Sequence, residues 1–561
     1  MDIQRCKKRK NKKSELNKIS YFFKLEDYSN RVAKLFSSAP FGYKKGDCVA
    51  IFMENRPEFV GLWLGLSKLG VISALINTNL KGEPLRHSIA SSKALAVIFN
   101  STLEPTIGQI KNDLDKVQLI IDADKHSTIG AVNLNSLLKQ TYPDNVDCEY
   151  SVASEDTILY IYTSGTTGLP KPAVIKQSRY YGGASTFFRA AGLGANDVVY
   201  VTLPIYHGNG TLLGIGSAIT VGSTVVLRQK FSASNFWKDC IQYNCTSFIY
   251  VGEICRFLVN QAPSAIDRAH KVRKAYGNGL RANVWKEFNQ RFGIKCLEFY
   301  AASEGNCTML NLDYKVGSCG FKPLLTRLIK NVYPIFLIKI DEQMNPIRDQ
   351  EGFCIECEVG EKGLLVGIIG NEPTKAFNGY ANNPEASKKK IIENVFKTGQ
   401  KAFNTGDAMV MDRFGYLYFC DRLGDTYRWR GENVSTVEVE NQISRFLNSK
   451  EVVVYGVEIP GQEGRAGMVS IADSPNSIDL QGLSKKVKEE LPSYARPLFI
   501  RFTAELDHTG TFKAKKTKLV EEAYNIKIVK DVIYYFDAKI QIYKPLNKEV
   551  YEDILSGRIR L

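Results

Sequence analysis

Short apolar runs of strand length alternate with longer, helix-like stretches through the first half of the chain. Residues 48–53 form such a run, and an amphipathic stretch at residues 57–69 follows it. Further apolar runs occur at residues 96–99, 223–227 and 246–251. This alternation is typical of βαβ units, which build parallel sheets covered by helices. We therefore predict an α/β fold in which doubly wound sheets form a large N-terminal domain.

The pattern changes after about residue 320. Short alternating segments at residues 353–359, 408–411 and 416–419 are separated by turn residues, which predicts a small antiparallel β-barrel or sheet. Residues 421–432 are rich in charge and glycine and indicate a linker to a new α/β pattern. We expect a basic, disordered start at residues 1–20, an N-terminal domain over residues 21–422, and a smaller, mobile C-terminal α/β domain over residues 423–561.

Composition and net charge exclude few classes of protein or binding partner. The chain has 561 residues, of which 44% are hydrophobic and 24% are charged, as in an ordinary globular protein. Its net charge of +15 suits nucleotides, coenzymes or anionic membrane surfaces without choosing among them. The apolar stretches at residues 59–76 and 210–227 are interrupted by Lys68 and by four glycines respectively, and we interpret both as buried helix and strand. Asp2 excludes N-myristoylation.

The strongest chemical signal follows an apolar strand at residues 157–162. Glycines let a backbone approach an anion closely, hydroxyl groups donate hydrogen bonds to phosphate oxygens, and a lysine adds positive charge. These residue types occur together in one unbroken string: Thr163, Ser164, Gly165, Thr166, Thr167, Gly168, Leu169, Pro170 and Lys171. The string is not a GxxxxGK[ST] phosphate loop. We nevertheless predict that it binds phosphate.

Residues 162–171 resemble the phosphate-binding signature of the adenylate-forming superfamily of acyl-CoA synthetases, luciferases and adenylation domains. Further segments resemble its other motifs in the expected order. The resemblance implies an acyl pocket beside Tyr206 and His207, an adenine-packing segment of Gly277, Asn278 and Gly279, nucleotide contacts from Tyr300, Ser303 and Glu304, ribose binding by Asp407, a following Arg422, and a hinge at Gly424. Longer strings, above all residues 404–440, are similar to the fatty-acid transport protein and very-long-chain acyl-CoA synthetase family.

This resemblance implies a long-chain or very-long-chain fatty acid–CoA ligase that uses ATP, Mg²⁺ and CoA and whose reaction is coupled to fatty acid uptake. The fatty acid attacks the α-phosphate of ATP, and the thiol of CoA then attacks the acyl-adenylate. The implied catalytic residues are Lys513, Glu304, Thr163 and Lys171, with Glu304 also near Mg²⁺; Lys515 and Lys516 are neighbours that could be mistaken for Lys513. Rotation about Gly424 would exchange Lys513 for a CoA-facing surface at Arg430, Gly431 and Glu432.

Two rival functions stay open. One is a fatty-acid carrier or uptake facilitator with weak or no synthetase activity, although a carrier has no need of an ATP site. The other is adenylation followed by transfer to a different acceptor, or by oxidation as in luciferase.

The resemblance also bears on partners and location. The implied partners are a fatty acid and CoA, with no nucleic acid, and we expect peripheral association with a cytosol-facing membrane of the endoplasmic reticulum, plasma membrane or peroxisome. The apolar N-terminal segment that is usual in the family does not occur before Tyr21. A homodimer, the organelle and the preferred chain length stay open.

Overall fold

The computed structural model describes most of the chain. The described residues are 22–143, 151–163, 169–323, 333–341, 345–373, 375–422, 426–429, 432–460, 462, 464–509, 514–559 and 561. Of the predicted site residues, Ser164, Gly165, Thr166, Thr167, Gly168, Gly424, Arg430, Gly431 and Lys513 lie outside these ranges, as does the basic start.

The first part of the chain builds a seven-stranded sheet with helices against it. Its elements are α1 (Phe22–Ser37), β1 (Cys48–Phe52), α2 (Pro57–Lys68), β2 (Ile72–Leu75), α3 (Gly82–Ser91), β3 (Ala96–Asn100), α4 (Glu104–Gly108), β4 (Gln118–Asp122), β5 (Val132–Asn133), α5 (Leu134–Gln140), β6 (Thr157–Thr163), β7 (Lys171–Lys176) and α6 (Gln177–Ala190). The strand order is β5-β4-β3-β1-β2-β6-β7, and only the β6–β7 pair is antiparallel. Pro57 begins α2, where a missing N–H leaves no helical bond unmade.

A second sheet of six strands follows. Its elements are β8 (Val198–Val201), a π-helical segment (Asn209–Gly216), α7 (Ser217–Val221), β9 (Thr224–Leu227), α8 (Ala233–Gln242), β10 (Ser247–Val251), α9 (Gly252–Val259), β11 (Lys274–Asn278), α10 (Ala282–Phe292), β12 (Lys295–Ala301) and β13 (Thr308–Asn311). The order is β13-β12-β11-β10-β8-β9, parallel except for β12–β13. Side chains of both sheets share one hydrophobic core.

The third part is an antiparallel sheet, as predicted. It contains β14 (Gly320–Phe321), β15 (Ile335–Ile338), β16 (Lys362–Ile368), α11 (Pro384–Lys388), β17 (Ile391–Glu393), β18 (Lys401–Met411) and β19 (Tyr416–Arg422), in the order β14-β19-β18-β16-β15 with β17 beside β18. The prediction of a strand at residues 353–359 is wrong in detail. Cys354 and Glu356 make only isolated bridges, to Arg348 and Ile338, so the alternation there reflects two separate contacts and not a continuous ladder.

The last part has a core of its own. Its elements are β20 (Thr426–Trp429), β21 (Glu432–Ser435), α12 (Thr436–Phe446), β22 (Val452–Glu458), β23 (Arg465–Ala472), α13 (Leu480–Glu490), β24 (Phe499–Thr503), α14 (Thr517–Glu522), β25 (Val532–Asp537), β26 (Ile542–Pro545) and α15 (Lys548–Leu555). The five strands β22 to β26 form a sheet in sequence order, in which only β23–β24 is parallel.

The linker predicted at residues 421–432 is shorter than expected. Its second half includes β20, and Tyr427 and Trp429 are buried in the core of the C-terminal part. Charge and glycine in this stretch indicated a linker, whereas two large aromatic side chains provide enough apolar area to bury the strand in a core.

No helix among the described residues is long and apolar enough to cross a bilayer. The apolar stretch at residues 59–76 is accounted for by α2 and β2, both of which are buried, as predicted. The stretch at residues 210–227 contains the π-helical segment, α7 and β9. Its helical half is buried, but β9 is an edge strand and only half-buried, so the prediction of a buried strand there is wrong.

Candidate active site

The string of hydroxyl residues lies between two paired strands. Thr163 ends β6 and Lys171 begins β7, and the two residues are directly opposite each other in the antiparallel ladder. The hydroxyl oxygen of Thr163 is buried and has no hydrogen-bond partner among the described residues. A buried hydroxyl without a partner is costly, so Thr163 has a hydrogen bond to offer to a ligand at the base of this loop.

Glu304 is buried close to the same strand pair. Its Oε1 accepts a hydrogen bond of 2.9 Å from Tyr380 Oη, and the Nζ of Lys171 lies 5.8 Å from the centre of the Tyr380 ring. Residues 379–381 run beside β7, where the Ala381 N–H donates to the Pro172 carbonyl at 2.8 Å. Tyr380 thus joins two predicted catalytic residues, and sequence reasoning missed it.

Asp407 is held by a second tyrosine. Tyr300, near the end of β12, donates its phenolic hydrogen bond to Asp407 Oδ2. The Asp407 N–H donates to Thr405 Oγ1 at 3.0 Å, and the Thr405 hydroxyl donates to the Leu365 carbonyl. Burial, with the Asp407 charge next to it, raises the pKa of Tyr300 well above its ordinary value, so this phenol remains a donor. The antiparallel ladder puts the backbone of Arg422 directly opposite Asp407.

The first two residues of the predicted adenine segment, Gly277 and Asn278, are the last two of β11, and Gly279 follows the strand. A Cβ on Gly277 would overlap the carbonyl oxygen of Tyr250, and Gly279 has φ +79°, so a larger residue is excluded at the first position and strained at the second. Asn278 Oδ1 accepts a hydrogen bond of 2.8 Å from Asn209. Asn209 begins the π-helical segment and follows the predicted acyl motif closely, so this contact joins the adenine segment to that motif.

A buried acid supports this segment. Glu298 accepts hydrogen bonds from the Leu280 N–H at 3.0 Å and from Tyr250 Oη at 2.7 Å. Burial raises the pKa of Glu298 to about 8, although these donors oppose the shift. Glu298 is therefore largely protonated at neutral pH and orders the backbone that follows Gly279.

Tyr206 and His207 lie next to the first sheet. Tyr206 Oη accepts a hydrogen bond of 3.3 Å from Asn79, and the ring centres of Tyr206 and His207 are 4.6 Å apart. Burial raises the pKa of Tyr206 to about 12, so its hydroxyl stays protonated at neutral pH.

The backbone before this pair is fixed by the buried Asn55, which follows β1. Asn55 Oδ1 accepts a hydrogen bond of 2.8 Å from the Ile205 N–H, and its Nδ2 donates to the Leu203 carbonyl at 2.9 Å. The predicted acyl motif is thus bonded to the first sheet.

The described contacts connect several of the predicted residues, Lys171 with Glu304 through Tyr380 and Tyr300 with Asp407. Thr163, Asn278 and Tyr300 lie at or near the carboxyl ends of β6, β11 and β12, which is where open α/β sheets bind their ligands. Ser303 follows β12 and directly precedes Glu304. The described residues contain no group of three or more His, Cys, Asp or Glu side chains able to hold a metal ion.

The C-terminal part meets the rest of the chain at α9 and α10. Arg256 Nη2 lies 3.0 Å from Glu451 Oε2, and Arg281 Nη2 lies 3.4 Å from Glu440 Oε2. These polar pairs connect helices of the second sheet with the residues around α12.

Two predicted elements belong to the C-terminal part. Glu432 begins β21. Lys513 lies outside the described residues, but a bridge between His508 and Ala514 brackets the segment that contains it. His508 also contacts Glu451, the residue that pairs with Arg256 of α9.

Comparison with known proteins agrees with this architecture. The family model described as AMP-binding enzyme matches residues 5–348, and the model described as AMP-binding enzyme C-terminal domain matches residues 438–513. A solved structure of the anthranilate CoA ligase AuaEII in complex with anthranoyl-AMP is 22% identical, covers 91% of this chain and 93% of that chain, and has a TM-score of 0.75. The predicted α/β fold is confirmed.

Two relatives match almost the whole chain. Long-chain fatty acid transport protein 1 of Rattus norvegicus is 45% identical over 547 residues, or 96% of this chain and 84% of that protein. Long-chain fatty acid transport protein 6 of Mus musculus is 41% identical over 538 residues, or 95% of this chain and 86% of that protein. The chain therefore belongs to the AMP-binding enzyme family and, within it, to the long-chain fatty acid transport proteins.

Proposed function

We propose that this protein is an AMP-forming ligase that converts long-chain and very-long-chain fatty acids, ATP and CoA into acyl-CoA, AMP and diphosphate. The observation that carries the proposal is that Tyr380 connects Glu304 with Lys171, which pairs with Thr163, while Tyr300 holds Asp407. Long acyl chains are proposed because the relatives are named for long-chain fatty acids.

The chemistry of these residues fits the first half-reaction. A fatty-acid carboxylate attacks the α-phosphate of ATP, and negative charge on the phosphoryl oxygens has to be stabilised as diphosphate leaves. We expect the hydroxyl of Thr163, the loop at residues 164–168 and the ammonium groups of Lys171 and Lys513 to provide hydrogen bonds and positive charge. Asp407 is an acceptor suited to the ribose hydroxyls, and the segment of Gly277, Asn278 and Gly279 is proposed to pack against adenine.

Mg²⁺ is proposed to bind at Glu304. A buried carboxylate oriented by Tyr380 is a hard oxygen ligand, and Mg²⁺ is usually held by one or two carboxylates together with phosphate oxygens and water. The bound ion would neutralise charge on the polyphosphate. The described residues offer few metal ligands near Glu304. This fits such a site, since most ligands of the ion would come from ATP and water.

A division into domains between residues 422 and 423 is also proposed, with rotation about Gly424 between the half-reactions. Lys513 would act in adenylate formation, and Arg430, Gly431 and Glu432 would face CoA in thioester formation. Two observations support this: the C-terminal part has a separate hydrophobic core, and polar pairs connect it to α9 and α10. Polar interfaces between domains permit relative motion.

The test is formation of AMP and acyl-CoA by the purified protein with ATP, Mg²⁺, CoA and saturated fatty acids from medium to very long chain. We expect both products to require the fatty acid and CoA, with the highest kcat/KM for long chains. Lys513→Ala should abolish adenylate formation and leave thioester formation from preformed acyl-adenylate largely intact. Fatty-acid binding without turnover would overturn the proposal in favour of a carrier, and AMP formation without acyl-CoA would indicate a different acceptor.

The protein is further proposed to work as a peripheral protein at a cytosol-facing membrane, where long fatty acids partition. The basic run from Arg5 to Lys13 would be attracted to anionic lipids. Sedimentation with phosphatidylserine vesicles should decrease when the basic residues of this run are replaced by glutamine, and unchanged sedimentation would contradict the role of the run. Light scattering on the same sample measures whether the protein is a homodimer.

A further inference from the structure

The carboxylate of Glu440 contacts three separate segments of the chain. Glu440 is buried on α12, and its Oε1 accepts a hydrogen bond of 2.9 Å from the Val454 N–H of β22. The same oxygen lies 3.0 Å from Lys516 Nζ, which directly precedes α14. Oε2 accepts a hydrogen bond of 3.4 Å from Arg281 Nη2, which directly precedes α10. One buried carboxylate therefore joins a cation of the C-terminal part to a cation of the second sheet's part.

Lys516 anchors the segment that contains Lys513. Its ammonium group also donates a hydrogen bond of 2.8 Å to the hydroxyl of Thr436, the first residue of α12. Next to it, the Lys515 N–H donates to the Asp507 carbonyl at 2.8 Å, so the two ends of the segment are bonded to each other. Lys513 precedes Lys516 by only three residues. The contacts of Lys516 with α12 therefore fix one end of the segment on which Lys513 lies.

Arg281 is connected just as closely to the predicted adenine segment. It comes two residues after Gly279, and the Leu280 N–H between them donates to the buried Glu298 at 3.0 Å. The Arg281 carbonyl accepts a hydrogen bond of 2.9 Å from the Trp285 N–H in the first turn of α10. Because the backbone is bonded on both sides of Arg281, the place of its side chain is set by the adenine segment and α10.

The charges of this contact favour one arrangement of the two parts. The side chains of Arg281 and Lys516 are each 25% exposed, and that of Glu440 is 9% exposed. Partly buried charges are screened less by water and salt than charges on the surface, so the attraction of both cations to Glu440 is retained. Without the carboxylate, two cations would face the same buried position and repel each other.

We propose that Glu440 is a positioning residue for adenylate formation. Through Lys516 and Arg281, it holds the segment that contains Lys513 in a fixed place relative to the adenine segment. The inference rests on the proposed function, because it assigns one further residue to the first half-reaction. The contact with Arg281 is the one that rotation of the C-terminal part would break, whereas the contacts with Val454 and Lys516 lie within that part and would persist.

The test compares Glu440→Gln, Arg281→Gln and the double variant with the wild-type protein in the two half-reactions. Glutamine removes the charge of Glu440 and keeps an oxygen that can accept from the Val454 N–H. We expect the kcat of adenylate formation to fall about fivefold in Arg281→Gln, which loses one contact, and about tenfold in Glu440→Gln, which loses the charge between both cations. Thioester formation from preformed acyl-adenylate, and the affinity for AMP, should stay within about twofold of the wild type.

The double variant should lose no more than Glu440→Gln, because the contact with Arg281 is already absent there. The matched control is Glu438→Gln, since Glu438 is an exposed acid in the first turn of the same helix. That control should keep the wild-type rate in both half-reactions.

Several results would overturn the inference. Equal losses in both half-reactions would mean that Glu440 only supports the fold of the C-terminal part. Additive losses in the double variant would mean that Arg281 and Glu440 act separately, and wild-type rates of adenylate formation in both single variants would remove the positioning role. Each of these results, with a wild-type protein that forms acyl-adenylate, overturns this inference alone. Wild-type protein that forms no acyl-adenylate would overturn the proposed function as well.

Discussion

The ion pair between Arg256 and Glu451 is expected to hold the C-terminal part in the arrangement that favours adenylate formation. Arg256 is buried on α9, with its Nε 2.6 Å from Glu253 and its Nη2 3.0 Å from Glu451, and Glu451 also contacts His508. Arg256→Met removes the charge and keeps much of the apolar stem. Truncating one partner of a buried charge pair costs about 2–5 kcal/mol.

The lower end of that range applies here for two reasons. The Glu451 side chain is 14% exposed, so water can solvate part of its charge once Arg256 is gone, and the contact is close without being an aligned hydrogen bond. The bond to Glu253 lies within α9, so its loss affects both arrangements alike. A loss of about 2 kcal/mol corresponds to a roughly 30-fold shift of the equilibrium away from the observed arrangement.

The consequence should differ between the two half-reactions. Lys513 is proposed to act in adenylate formation, and His508 and Ala514 bracket the segment that contains it. We therefore expect the rate of adenylate formation in Arg256→Met to fall by up to about 30-fold. Thioester formation from preformed acyl-adenylate should stay nearly unchanged. The assay measures the two half-reactions separately, and hydrogen exchange across α9 reports directly on the interface.

The control is Arg445→Met, since Arg445 is exposed and pairs with Glu490 within the C-terminal part. That change should affect neither half-reaction, because exposed ion pairs contribute little to stability. Unchanged exchange across α9 in Arg256→Met, or equal losses in both half-reactions, would refute the reasoning.

Three further predictions follow from single contacts. The Glu451 carboxylate raises the pKa of His508, and both residues lie in the C-terminal part. Protonated His508 therefore stabilises the fold of that part fully below about pH 6.5 and less as pH rises through the raised pKa; the Tm of the C-terminal part should decline on that alkaline side, with no such step in His508→Gln. Asn55→Ala removes three hydrogen bonds of a buried side chain, including one to the Arg228 carbonyl. It should lower the free energy of unfolding by about 3 kcal/mol and Tm by several degrees, whereas the exposed Asn476→Ala should change neither. Tyr300→Phe should raise the KM for ATP about tenfold, whereas Tyr416→Phe, which removes a surface bond to Asp313, should not.

Local patterns predicted much of the fold because the forces behind them act over short stretches. The alternation of apolar runs located β1, β3 and β10 to within one or two residues, since a strand buried on both faces needs consecutive apolar side chains. The prediction was wrong at residues 353–359, and it missed β20. The bridges at residues 353–359 go to two different segments, at Arg348 and Ile338, and β20 is buried in a core with residues of β22 and β23. Alternation or charge along the chain carries no information about these neighbours.

Residues that support the candidate site were harder to predict than residues within its motifs. Motif resemblance found Glu304 and Lys171 but not Tyr380, which lies 76 positions after Glu304 in a stretch with no motif. Asn55 supports the acyl motif through Ile205, at a separation of 150 positions. Residues that contact a ligand recur in strings because the ligand constrains them together. Residues that hold those strings in place are scattered, since any neighbouring segment can provide the hydrogen bond.

The supporting contacts also differ in how easily they can change. Thr163, Tyr300 and Asp407 lie on β6, β12 and β18, which belong to three different sheets, and the last two are bonded to each other across their sheets. Moving any one of them requires moving a sheet within a close-packed core, which is costly. The polar pairs at α9 and α10 are the weaker contacts, because each can exchange its protein partner for water. We therefore expect the C-terminal part to move between half-reactions while the nucleotide residues of the three sheets act as a rigid frame.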